Sequence, residues 1–161
     1  MDLSTWLQEF RTLHEQAKHG ALTGQQLLDY LGARNELARA LLAAQHVALE
    51  PGQEPRSVLR ASRVLRAEIT FSDGTVRVAT RSISSGGFAA LLAQPPKARE
   101  EVQVVLRMPG GDLVQARARA VEVKAQQGSA HVSFAWVGLS PAGAERIETF
   151  VFDAVLDQLA T

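Results

Sequence analysis

Two arginines four residues apart, Arg56 and Arg60, precede by about one hairpin a run of small residues, Ser82-Ile83-Ser84-Ser85-Gly86-Gly87. These are the groups in the chain best suited to hold a ligand. A guanidinium offers a planar fork of donors that fits a phosphate or the O6/N7 edge of guanine, and its flat face stacks on a base. A small-residue turn at the end of a strand brings backbone N–H groups within reach of the same ligand. Residues 56–66 carry Arg56, Arg60, Arg63 and Arg66 and no acid, whereas residues 1–55 carry seven acidic against four basic side chains. The same cluster also fits a solvated basic edge, or a set of partners for the acidic segment before it.

Other chemistries fare worse. The 161 residues contain no cysteine, which removes disulfides, thiolate ligands and thiol nucleophiles. His14, His19, His46 and His131 are scattered, with no pair at metal-ligand spacing. The serines of Ser82-Ser84-Ser85 lack the glycine that precedes a nucleophile elbow. Gly86-Gly87 is followed by no G-K-[ST], so it is not a phosphate loop of the Walker type. Seventeen basic and seventeen acidic side chains cancel, and residues 51–70 hold no aromatic ring, which argues against nucleic acid. No metal or cofactor is expected, and the chain reads as a non-enzyme. With Asp2 and Glu9 where a basic stretch and an apolar run would stand, no signal peptide is expected, and no apolar run is long enough to span a membrane. A cytoplasmic protein is therefore expected.

The elements that must position the arginines follow from periodicity. Leu3, Trp6, Leu7, Phe10, Leu13 and Ala17 recur at three- and four-residue steps, a helical stripe that Gly20 ends. Thr23 and Gln26 form a capping box for a second helix, rich in leucine and alanine up to about Val47. The two make a helical hairpin over residues 1–49, which either packs on the domain that follows or pairs with a second copy. Pro51, Gly52 and Pro55 mark a linker at 50–55. Beyond it the period becomes two. Strands are expected over 67–71, 76–80, 88–92, 102–108, 113–123 and 130–134, with an Asp73-Gly74 hairpin turn between the first two. Ser140-Pro141 opens a terminal helix whose buried face holds Ile147, Phe150, Val151, Ala154, Val155 and Leu159. The fold class is α+β: a helical hairpin, then a small antiparallel β-barrel with a C-terminal helix over 56–161.

The order of these motifs resembles the PilZ domain family. That family combines an RxxxR segment ahead of a barrel with a D/N-x-S-x-x-G motif on its first strands. Arg56-Ser57-Val58-Leu59-Arg60 fills the first pattern, and Ser84 and Gly87 fill the second. The run from Ala130 to Val151, with its Leu-Ser-Pro helix start, is similar to the family's last strand and terminal helix. The resemblance implies a bacterial receptor for cyclic di-GMP that signals by conformational change to a protein partner. It places Arg56 and Arg60 on a mobile segment as clamps, with Ser82, Ser84 and Gly87 completing the site. Ser82 departs from the pattern, since the family has Asp or Asn there. Giving up one hydrogen bond to a ligand costs about 1–3 kcal/mol, or roughly ten- to a hundredfold in affinity. The alternative is a degenerate barrel that binds no nucleotide and acts as a protein-interaction adaptor, with a homodimer through the N-terminal helices also open.

Overall fold

The structure, a computed structural model, describes residues 2–47, 58–97 and 99–159. The chain divides into two compact units, Met1–Leu59 and Arg60–Thr161.

The first unit contains α1 (Leu3–Lys18) and α2 (Gly24–Val47). Asp2 caps α1 by accepting from the Thr5 N–H at 2.8 Å. The expected capping box of α2 is present: the Thr23 N–H donates to Gln26 Oε1 at 2.9 Å, and the Gln26 N–H reaches back to Thr23 Oγ1 at 3.5 Å. The buried stripe differs from a simple leucine stripe. Phe10, His14, Tyr30, Arg34 and Leu37 are buried, while Leu27 and Leu28 are exposed. His14 Nδ1 and the Tyr30 hydroxyl are hydrogen-bonded at 2.7 Å. Phe10 stacks on Tyr30 with centroids 5.7 Å apart, and the Arg34 guanidinium lies 5.5 Å from the Tyr30 ring centroid. Polar side chains enter this core because each finds a partner there.

The second unit holds β1 (Arg66–Phe71), β2 (Gly74–Ser84), β3 (Gly87–Leu92), β4 (Glu101–Arg107), β5 (Leu113–Gln126), β6 (Ser129–Trp136) and α3 (Pro141–Leu159). The six strands close into an antiparallel barrel in the order β1-β2-β3-β6-β5-β4. Alternation sends Ile69, Ile83, Phe88, Val104, Leu106 and Val132 inward, each at most 1% exposed. Phe88 and Phe134, opposite each other on β3 and β6, stack with centroids 4.8 Å apart. The first hairpin turns at Ser72-Asp73, one residue earlier than the Asp-Gly pair implied. Gly74 already pairs with Phe71, at a φ of 149° that side chains rarely adopt.

Two strands are longer than periodicity predicts, and each carries a bulge. β2 runs on through Arg81-Ser82-Ile83-Ser84, and its register shifts between Thr80 and Ser82. β5 shifts between Ala120 and Glu122 and runs on to Gln126. A bulge inserts one residue and reverses the in–out order beyond it. Thus Thr80 and Ile83, three apart, are both buried, and Arg81 at the bulge is exposed.

Helix α3 begins as its sequence predicts: the Gly143 N–H donates to Ser140 Oγ at 3.0 Å, with Pro141 first in the helix. It lies across the barrel end that carries the β2–β3 and β4–β5 turns. Ile147, Val151 and Phe152 are buried there, each worth about 1.5–3 kcal/mol by removal from water. Arg146 fastens it to the β4–β5 turn, donating to both Asp112 carboxylate oxygens at 2.6 and 3.2 Å and to the Pro109 carbonyl at 2.8 Å.

Candidate functional site

The candidate site lies where the segment ahead of β1 laps the far end of β2. Ala61 and Ile83 exchange two backbone hydrogen bonds of 2.9 Å. Farther along, Thr80 is joined to this segment three ways, twice at Leu65 and once at Arg63. Thr80 N donates to the Leu65 carbonyl, Leu65 N donates to Thr80 Oγ1, and Thr80 Oγ1 donates to the Arg63 carbonyl, all at 2.9 Å. Thr80 is 1% exposed, so its hydroxyl acts as a buried clip for this segment. The bulge at Arg81 turns Ile83 inward and leaves its neighbour Ser82 half-buried on the outer face.

Arg60 is therefore held one residue from a fixed point, and its Nη1 donates to Ser82 Oγ at 3.4 Å, a long hydrogen bond. Two of the expected site residues are brought together. Arg56 lies outside the described residues. Arg63 donates to the Ser62 carbonyl, and Arg66 is exposed on β1, so neither joins Arg60 at Ser82.

The small-residue turn is built tightly. Ser84 is 1% exposed, and its Oγ accepts from the Gly86 and Gly87 N–H groups at 3.1 and 3.2 Å while lying 3.4 Å from the Gly87 carbonyl. Its hydroxyl organises the turn from inside. Gly87 is required by close approach: a Cβ there would lie 2.0 Å from the Phe134 carbonyl oxygen on β6. Trp136 locks the turn to β6, donating its backbone N–H to the Gly86 carbonyl and its indole N–H to the Ser84 carbonyl, each at 3.1 Å. Ser85 donates to Glu148 Oε1 at 2.5 Å, tying the turn to α3. Thr80, Trp136 and Glu148 support the site without any motif to announce them. The first is hidden by the bulge, and the other two act from elements remote in sequence.

Arg117 and Arg119 on β5 both bind Glu101 on β4, at 2.8 and 3.4 Å. A surface groove of about 630 Å³ lies elsewhere on the outer wall, lined by Arg66, Glu68, Arg77, Val105, Arg107 and Leu113 among others. Among the described residues, no cluster of His, Cys, Asp or Glu could hold a metal, and no helix is long and apolar enough to cross a membrane.

Comparison with known proteins places this architecture. The profile of the PilZ domain matches residues 53–153, and the chain belongs to that family. Among solved structures, it is similar to the Bacillus subtilis inhibitor of motility MotI/DgrA (TM-score 0.60, 16% identity, 66% of this chain and 54% of that one). It is also similar to the PilZ domain of Escherichia coli YcgR with cyclic di-GMP (TM-score 0.55, 18% identity, 66% and 96%). A third is the K. pneumonia MrkH–cyclic di-GMP complex (TM-score 0.57, 15% identity, 67% and 56%). The match thus spans little more than half of MotI and MrkH, but nearly all of the isolated YcgR domain. Comparison with curated protein sequences gives no match.

Proposed function

We propose that this chain is a non-enzymatic signalling protein whose barrel binds cyclic di-GMP, weakly, at the Arg60–Ser82 face. Arg56 and Arg60 clamp phosphate and guanine, and Ser82 contributes one oxygen. The role of Ser84 and Gly87 is to shape the turn that carries the backbone N–H groups. The observation that carries this reading is the placement of Arg60 on Ser82, at the outer end of β2 where the family's two motifs converge. Its support from outside the chain is membership of the PilZ family. Two of the similar structures also hold cyclic di-GMP. Ligand entry replaces the long Arg60–Ser82 bond with shorter, charge-assisted ones. The resulting order in the arginine segment is what a protein partner senses in the cytoplasm. Leu3, Leu27 and Leu28, exposed on the helical hairpin, offer that partner or a second copy an apolar surface.

One observation favours the adaptor alternative. Arg60 already spends a donor on Ser82, and Ser84 is closed to ligand, so the face is partly satisfied without nucleotide. Calorimetric titration of cyclic di-GMP into the full chain separates the two. The receptor reading expects micromolar-range binding, weakened at least tenfold by Arg60→Ala and strengthened roughly ten- to a hundredfold by Ser82→Asp. Absence of heat from both the native chain and Ser82→Asp would leave the adaptor.

A further inference from the structure

Strand β5 outruns its neighbour. Its pairing with β4 ends at Glu101↔Arg119, and the Ala120 N–H to Glu100 carbonyl bond, at 3.2 Å, is the last on that side. Residues 121–126 continue beyond it as a ribbon paired only with β6, from Glu122↔Ser133 to Gln126↔Ser129. In an antiparallel ladder the backbone groups of alternate residues point to opposite sides. Half of this overhang's N–H and C=O groups therefore face away from β6, and no backbone hydrogen bond to them exists among the described residues. All six residues are exposed, including Val121 at 60% and Val123 at 38%.

An edge of this kind is a template for another strand, and proteins guard such edges with proline or with repelling charge. Residues 121–126 contain no proline, and their two charges, Glu122 and Lys124, flank Val123 symmetrically. That symmetry selects the partner. A second copy laid antiparallel with Val123 opposite Val123 sets each Glu122 against the other chain's Lys124, and Val121 against Ala125. Parallel pairing in register would set Glu122 on Glu122. Glu122 and Lys124 are already 3.3 Å apart within one chain, so the antiparallel pair forms a closed ring of four alternating charges. The edge repels most strands and complements itself.

We propose that the protein self-associates by antiparallel pairing of residues 121–126 across a two-fold axis at Val123, joining two barrels through one continuous ribbon. So short a strand buries less than a standard interface, and the dimer is correspondingly weak and reversible.

Sedimentation velocity on the full chain, from low micromolar to near-millimolar protein at low salt, tests this. The native chain should convert from monomer to dimer across that range. Lys124→Glu, which opposes Glu122 with a like charge, should raise the dissociation constant at least tenfold, while circular dichroism and the melting temperature of the monomer stay native. Glu122→Lys combined with Lys124→Glu restores complementarity and should return the constant to within about threefold of native. A monomer throughout the range would overturn the proposal. So would a dimer indifferent to Lys124→Glu, which would place the association elsewhere, such as the helical hairpin. Failure of the folded double variant to recover would equally sink the antiparallel pairing.

Discussion

Gly87 and Ser84 show how a ligand motif can be structural at the level of single residues. Glycine is needed at position 87 because β3 and β6 approach so closely that a methyl group would meet a carbonyl oxygen, which a rigid ladder cannot move. Gly87→Ala should therefore destabilise the protein by about 2–3 kcal/mol, read as a lower urea midpoint with unchanged slope. Ser84→Ala leaves the Gly86 N–H and the buried Gly87 N–H without their acceptor and should cost about 1–3 kcal/mol by the same measurement. Both effects are expected with no ligand present. On the proposed reading, a drop in cyclic di-GMP affinity in either variant thus reports the turn, whereas one in Arg60→Ala reports the proposed clamp. Ser84 and Gly87 were legible in the sequence as a motif. Their burial was not, because it depends on Phe134 and Trp136, roughly fifty residues away in the chain.

Between elements, charge placement makes two further predictions. The β1–β4 register, Ala67↔Leu106 and Glu68↔Val105, puts Arg66 opposite Arg107 one step on. Both are exposed, and among the described residues neither has an acidic partner. Arg107→Glu should stabilise the barrel by roughly 0.2–1 kcal/mol, with the gain shrinking as salt is added. The second concerns Asp112 and Arg146, which join the β4–β5 turn to α3. The hydrogen bonds from Arg146 hold the Asp112 carboxyl below its ordinary value, with its charge adding to the effect. A carboxyl lowered in the folded state contributes stability that is present above its unfolded value, near 3.8, and lost as pH falls through the folded one. The pair is about half-exposed on the aspartate side, so its worth is under about 1 kcal/mol. Asp112→Asn should thus lower the melting temperature slightly at neutral pH and leave it native-like well below pH 4. Glu100 behaves alike: the backbone N–H of Ser72 lowers its carboxyl, and the bond pins the β1–β2 turn beside the start of β4.

For the whole molecule, the balance of charges is the property that matters. With seventeen of each sign the chain has no net charge at pH 7, so no long-range repulsion opposes the approach of two copies. Among the described residues, closure of the sheet covers the strand edges and leaves the β5 overhang, on which the proposed pairing of two copies rests. The family match covers the barrel and most of α3 but not α1 and α2. The two N-terminal helices are therefore the part of the described structure that the family match leaves uncovered.

Local signals in the chain suffice for the elements and their ends. Thr23 with Gln26, Ser140 with Pro141 and the alternation of Val102 to Leu106 are of this kind, because caps and side-chain faces depend on a few neighbouring residues. The order of RxxxR, the serine–glycine turn and the terminal helix likewise suffices for the family. Which strands are neighbours is a matter for the folded molecule alone. Period two says which side chains share a face and nothing about the strand alongside, so the pairing of β3 with β6 and of β1 with β4 does not follow from it. The bulges at Arg81 and Val121 belong to the same class, since an extra residue exists only relative to a partner strand. From those non-local contacts come both features on which the two proposals rest. Arg60 is laid on Ser82 by the bridge between Ala61 and Ile83, and residues 121–126 are left open because β4 begins too late to cover them.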